Sequence, residues 1–190
     1  HNDIENGICS HYDFINKIRF YSTFLINERN FDVYWNSLNE FQPEFLVGFP
    51  SSVFEICQIA KSKGLKYKGK AKVFFPTAET VLIEHRQVIS EVLGCKLVDQ
   101  YASSEGAPFI LECSAGNLHT HPLTGIFEVV DDDLKPAQSG QMLVTSFTTY
   151  GTPLIRYRIG DSITLADPAK KCSCGSFFPL VERIEGRTND

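Results

Sequence analysis

Apolar residues recur at helical spacing twice in the first 45 positions: Phe14, Ile18 and Tyr21, then Phe31, Tyr34, Trp35 and Leu38. Steps of three and four residues put each set on one helix face, so this stretch reads as helical and packed on a core. An apolar run over 45–49 then meets Pro50-Ser51-Ser52, where Ser51 or Ser52 is placed to cap a helix through Val53, Ile56, Ile59 and Ala60 that stops at Gly64. Next come a buried-type strand over 71–75, a helix over 77–94 carried by Val81, Leu82, His85, Val88, Ile89 and Leu93, and a strand over 96–99. This β-α-β-α-β alternation predicts a mixed α/β layer with parallel strands and ligand sites near their carboxyl ends. Beyond Tyr101 the runs shorten. Segments 109–112, 125–130, 141–147, 154–159 and 162–166 are bounded by Gly, Pro and Asp, the pattern of antiparallel strands and hairpins. The expected organisation is an α/β part over 1–105 followed by a β-rich part over 106–185, the two sharing one core. Asp131-Asp132-Asp133 reads as a solvated turn.

Composition narrows the class. With 190 residues, 43% hydrophobic and 12% aromatic, the chain can bury a real core, which excludes disorder, collagen-like repetition and coiled coil. No apolar run approaches the roughly 18 residues of a membrane span. Eighteen basic against 23 acidic side chains, net charge -5, argue against generic nucleic-acid binding, which needs an excess of Lys and Arg. Six cysteines are too few and too unevenly spaced for a small disulfide scaffold, and no signal peptide precedes His1, so a reducing, cytoplasmic setting is expected. Cys9, Cys57 and Cys95 lie in apolar stretches and read as small core hydrophobes.

Three segments carry more polar chemistry than packing requires. The first is Val98-Asp99-Gln100-Tyr101-Ala102-Ser103-Ser104-Glu105-Gly106, which bunches a ring, two hydroxyls and a carboxylate into a turn after a strand. The second is Thr145-Ser146-Phe147 running into Pro153-Leu154-Ile155-Arg156-Tyr157-Arg158-Ile159-Gly160-Asp161, and the third is Arg183-Ile184-Glu185-Gly186-Arg187-Thr188-Asn189-Asp190. In that order and spacing they resemble motifs of the adenylate-forming enzymes, in particular the phenylacetate-coenzyme A ligase branch and its capsule-biosynthesis relatives. Tyr-Ala-Ser-Ser-Glu is similar to that family's Tyr-Gly-x-Ser/Thr-Glu. Weaker likenesses, Val47-Gly48-Phe49-Pro50-Ser51 and the segment 74–80, extend the match over roughly residues 45–190.

The resemblance implies an ATP-dependent, AMP-forming acid-thiol ligase that activates a small-molecule carboxylate and transfers the acyl group to coenzyme A. Tyr101 would stack on adenine, an interaction worth about 1–3 kcal/mol per base in nucleic-acid systems. Asp99 would accept from the adenine amino group. Ser104 would donate to a phosphate, and Glu105 would hold the Mg²⁺ that bridges the phosphates; these two are the expected catalytic residues. Asp161 would accept from the two ribose hydroxyls, and Arg187 would reach the ribose or phosphate. Arg156 and Arg158 alternate with apolar neighbours and are expected on one strand face, in an internal ion pair or against phosphate. The 106–109 loop and the Gly48-Phe49-Pro50 turn are either walls of the acyl pocket or core.

Cys172-Ser173-Cys174-Gly175 and the upstream Glu112-Cys113 and Leu118-His119 resemble a further pattern in some of these relatives. Three thiolates and one imidazole, from Cys113, His119, Cys172 and Cys174, suit a tetrahedral structural Zn²⁺ with no open position. His121 is the competing fourth ligand; the family pattern favours His119. Two parts of the family are missing from the sequence: a hydroxyl- and glycine-rich phosphate loop upstream and a lysine-bearing C-terminal domain. Residues 186–190 would then begin the hinge to that domain, and the chain is expected to be a central fragment of the large domain, inactive by itself. Ala102 stands where the family has glycine, and Asn189 where it has the hinge aspartate. Rival expectations are a zinc-stabilised, non-catalytic binding module and an adenylation unit serving a carrier-protein thiol; a homodimer stays open.

Overall fold

A computed structural model describes residues 9–187, which divide into two compact units, one ending at Leu97 and the other starting at Val98. The first unit opens on a hairpin of β1 (Ser10–Asp13) and β2 (Ile18–Tyr21), paired antiparallel, where helix was expected. The cause is local. Asp13 Oδ1 accepts from the amides of Ile15 (2.9 Å) and Asn16 (3.1 Å), Asn16 Nδ2 donates to Asp13 Oδ2 (2.7 Å), and Lys17 takes φ 56°, so an Asx-type turn reverses the chain before a helix can propagate. Phe14 is 82% exposed, so the helical spacing of Phe14, Ile18 and Tyr21 reported no buried face. The second apolar set does form a helix, α1 (Phe31–Phe41), which buries Phe31, Tyr34, Trp35 and Leu38.

A three-stranded parallel sheet follows, ordered β3 (Phe45–Gly48), β4 (Val73–Pro76) and β5 (Lys96–Leu97), joined by α2 (Pro50–Ser62) and α3 (Ile83–Leu93). Neither Ser51 nor Ser52 caps α2. Phe49 holds the cap position with Pro50 at N1, whose missing amide is one the first turn leaves unused anyway. The carboxylate of Glu79 instead accepts from the Ser51 amide (3.0 Å) and hydroxyl (2.9 Å). Helix α3 begins at Ile83, not near 77, because His85 Nδ1 reaches back to the Leu82 amide (3.3 Å); it closes at Gly94 as its sequence predicts. The core of this unit gathers Trp35, Phe74, Ile89 and Leu97 with Cys57 and Cys95. Cys9 is also buried, so all three cysteines of apolar stretches are shielded.

The second unit is one seven-stranded antiparallel sheet: β6 (Gln100–Ala102), β7 (Phe109–Glu112), β8 (Leu118–His121), β9 (Gly125–Val130), β10 (Ser139–Ser146), β11 (Tyr157–Leu165) and β12 (Leu180–Arg187). Its spatial order is β6-β7-β8-β12-β11-β10-β9. Two of these strands, β8 and β12, carry no clear apolar alternation. The segments expected as strands over 154–159 and 162–166 are one continuous strand, β11. Ile110, Val129, Met142, Ile163 and Val181 form its own core, so the chain buries two clusters and not the single one expected. The Asp131 carboxylate accepts from the amides of Asp133 (3.0 Å) and Lys135 (2.9 Å), making the acidic run a solvated turn. Among the described residues no helix is long and apolar enough to cross a membrane.

Candidate nucleotide and metal sites

Tyr101 lies within β6, in register with Ile110 of β7, and not on a turn after a strand. Its ring packs against the second unit's core while its hydroxyl donates to Asp161 Oδ2 at 2.6 Å. In the sheet order these residues sit on strands four spacings apart, about 19 Å in a flat sheet at 4.8 Å per strand. A hydrogen bond across that span requires the sheet to twist and curl until β6 and β11 face each other. Asp161 is aimed locally as well: Gly160 before it takes φ 88°, and the β11–β12 register slips just after Ser162.

Two more of the expected residues act on the same phenol. Burial, the Asp161 hydrogen bond and charge, and the Glu105 carboxylate all push the Tyr101 hydroxyl well above its ordinary value, while Arg187 pulls the other way. Arg187 is the register partner of Asp161 across β11–β12. Glu105 and Ser104 occupy the turn that joins β6 to β7, closed by the Gly106 amide on the Ser103 carbonyl (3.1 Å) and by the Ser103 hydroxyl on the Ala107 carbonyl (2.6 Å). Ser104 is exposed and Glu105 half-buried. Asp99 begins this segment, its amide donating to Glu112 Oε2 (2.7 Å) and its carbonyl accepting from the Glu112 amide (2.9 Å). Thus one curled sheet brings together Tyr101, Glu105, Asp161 and Arg187, from three sequence segments spread over 101–187. Residues 188–190 of the third segment, with the Asn189 departure, lie outside the described residues.

Arg156 corrects the strand-face expectation. It precedes β11 with φ 48°, and its Nε donates to Glu128 Oε2 at 2.9 Å, a solvent-exposed ion pair within the chain. Only Arg158 lies on the strand, so the two do not alternate along one face. In the 106–109 loop Ala107 and Pro108 are buried. The Gly48-Phe49-Pro50 turn belongs to the first unit, where Phe49 caps α2.

The metal candidates also converge. Cys113 stands at the mouth of the β7–β8 hairpin, whose loop is closed by Cys113 N–H on Asn117 O (2.8 Å) and Gly116 N–H on Cys113 O (2.9 Å); His119 follows on β8. Cys172 and Cys174 share a turn closed by the Gly175 amide on Cys172 O (3.3 Å). Pairing of Leu180 with His119 and of Val181 with Leu118 draws that turn onto the hairpin. Cys113 Sγ lies 3.6 Å from Cys172 Sγ, Cys174 Sγ lies 3.5 Å from His119 Nε2, and all four ligand atoms fall within 4.8 Å of one another. A tetrahedron with metal–sulfur bonds of about 2.3 Å has edges of about 3.8 Å, so the donor set fits zinc.

The surroundings favour thiolates and a fixed imidazole. Burial opposes ionisation of Cys113, but the amides of Asn117 and Ala115 outweigh it and the thiol sits below its ordinary value. Cys172 is lowered chiefly by the Cys174 amide. Cys174, despite the Ser176 amide, is raised by the neighbouring sulfurs, the repulsion a bound cation would remove. His119 Nδ1 meets the Phe178 carbonyl at 2.9 Å, which fixes Nε2 as the ligand atom, and Asn117 Nδ2 donates to Cys172 Sγ at 3.4 Å. His121 stands apart. Its ring packs edge-on against Phe109 and Phe178, and it is not in the cluster. Neither the Phe178 carbonyl nor Asn117 is signalled by the sequence, since a backbone acceptor has no side-chain signature and the asparagine sits where any hairpin loop favours one.

No family model matches the chain. Protein CapK of Staphylococcus aureus is 34% identical over 169 residues, 89% of this chain and 37% of CapK. The phenylacetate-coenzyme A ligase of Thermus thermophilus is 28% identical over 166 residues, 80% of this chain and 36% of that enzyme. The structure of 2-hydroxyisobutyryl-CoA ligase in complex with an acyl-AMP superposes with a TM-score of 0.73 over 90% of this chain and 38% of that one, at 20% identity. A parallel α/β unit followed by this antiparallel sheet is thus part of the fold of ligases that make acyl adenylates. The chain belongs to the adenylate-forming CoA ligase superfamily. It spans about 37% of the length of CapK.

Proposed function

We propose that this chain supplies the adenosine-binding part of an enzyme that activates a carboxylic acid with ATP and passes the acyl group to a thiol, coenzyme A being the acceptor favoured by the phenylacetate-coenzyme A ligase relative. The observation that carries the reading is the 2.6 Å bond between Tyr101 Oη and Asp161 Oδ2, with Glu105 and Arg187 acting on the same hydroxyl. A ring, two acids and a guanidinium around one point match what a mononucleotide offers: a flat base, a diol and an anion.

In the reaction a substrate carboxylate oxygen bonds to the α-phosphorus as pyrophosphate departs; a thiolate then attacks the acyl carbon and AMP departs. A carboxylate is a poor electrophile until AMP becomes its leaving group, and the protein contributes by positioning and by neutralising charge. Asp161 accepts from the ribose hydroxyls, Tyr101 offers adenine its ring, Asp99 accepts from the adenine amine, Ser104 donates to phosphate oxygen and Arg187 balances its charge. Glu105 is the carboxylate that would hold magnesium, which supplies charge neutralisation at the phosphates. Cys113, His119, Cys172 and Cys174 would hold a structural zinc that ties the β7–β8 hairpin to the loop before β12. Free thiols of this kind suit a reducing compartment, consistent with a cytoplasmic protein. Before residue 45 the sequence has no run rich in hydroxyls and glycine of the kind that grips phosphate, and this chain should bind nucleotide without turning it over. Calorimetry with AMP tests this: wild type should bind one equivalent and Asp161→Ala should lose it. Absence of AMP binding by wild type, or equal binding by both, would refute the reading.

A further inference from the structure

Asp161 is a half-buried carboxylate with one oxygen already engaged, and that engagement comes from a side chain to which the sequence gives a different task. We propose that Tyr101 acts through its hydroxyl as a positioning residue: by holding Asp161 Oδ2 it fixes the carboxylate plane so that both oxygens face the ribose diol, making Tyr101 a determinant of ribose over deoxyribose. This rests on the reading of Asp161 as the ribose acceptor.

The geometry supports it in three ways. A free aspartate turns about its terminal torsion, which is broad and two-fold, and the 2.6 Å bond from a ring anchored in the core of the second unit removes that freedom. Tyr101 cannot be exchanged for water in this role, because it packs against the core cluster of the second unit while its strand is paired to β7. The hydroxyl also keeps one sense of donation. Burial and the Asp161 charge hold its proton in place throughout the usual pH range, so the phenol always donates and the carboxylate always accepts. An oxygen accepting from tyrosine still has a second lone pair, so Asp161 can take the phenol and two ribose hydroxyls together.

The test compares AMP with 2′-deoxy-AMP on wild type, Tyr101→Phe and Asp161→Asn by calorimetry. Phenylalanine keeps the ring and its packing and removes only the donor. Wild type should prefer AMP by about tenfold, the value of a hydrogen bond to a charged group, and Tyr101→Phe should reduce that preference to about twofold while weakening 2′-deoxy-AMP little. A preference unchanged by Tyr101→Phe, whatever the absolute affinities, overturns the positioning role while leaving the nucleotide site standing. No AMP binding by wild type overturns the nucleotide reading and the ribose role with it. A urea double-mutant cycle over the same two positions reads the link without nucleotide: the double variant should lose less stability than the two singles added, and strict additivity overturns the bond itself.

Discussion

Removing one metal ligand should cost this protein more than any single surface contact. In Cys172→Ser the zinc cross-link proposed between the β7–β8 hairpin and the loop before β12 would be lost. Its two sulfurs, on Cys113 and Cys172, lie 59 positions apart in sequence. Because a metal of this kind binds the folded chain and not the unfolded one, it stabilises by linkage, about 4 kcal/mol at a free zinc level of about 1,000 times its dissociation constant. At about 2–4 °C per kcal/mol for a chain of this size, Tm should fall by about 8–16 °C. Thermal unfolding followed by circular dichroism, with metal content measured on the same samples, is the assay. Wild type should carry one zinc, lose it to a strong chelator and fall in Tm as the variant does, while the chelator should leave Cys172→Ser unchanged. His119→Ala should also lose the metal, whereas His121→Ala should keep it, because the His121 ring packs outside the cluster. A wild type without metal whose Tm ignores the chelator would refute this account of the four residues.

Two further expectations concern the cores. Burial, reinforced by Cys95, pushes the Cys57 thiol from its ordinary 9.0 up to about 12. Between those values the unfolded chain releases the proton and the folded chain retains it, so stability falls as pH rises, by up to about 4 kcal/mol at 1.36 kcal/mol per unit; urea midpoints from about pH 8 to 11 should show Cys57→Ala losing stability less steeply than wild type, and equal slopes would contradict this. Gly140→Ala would drive a Cβ into the Val130 carbonyl oxygen, a backbone atom that cannot move without parting β9 from β10. A loss of about 2–3 kcal/mol is expected in chemical denaturation, and a loss under 0.5 kcal/mol would contradict the close approach.

How far the sequence speaks for the fold depends on the range of the contacts. The parallel strands, α2 and the glycine that closes α3 are legible because each is set by residues within a turn or two. The opening hairpin is not, since Phe14, Ile18 and Tyr21 satisfy helical spacing by coincidence and the Asp13 turn decides the outcome. Strands β8 and β12 escape notice because their pairing, Leu180 with His119, is a long-range event, and His119 and Thr120 are buried by it despite being polar. The metal cluster is legible through its residue types and motif likeness, which single out His119 over His121. The Tyr101–Asp161 bond is not. It joins strands four places apart in the sheet order, and only the curl of the sheet makes them neighbours.

A ring, two acids and a guanidinium, carried by one curled sheet and its β6–β7 turn, should surround a single mononucleotide. Titration of the isotopically labelled protein with AMP, followed by amide shift perturbation, reads out where it binds. The largest changes should fall on residues 99–106 and 160–162 and on Arg187, and should vanish in Asp161→Ala. Changes centred on the Cys172 turn or scattered over the first unit, with 99–106 and 160–162 unmoved at saturation, would contradict it.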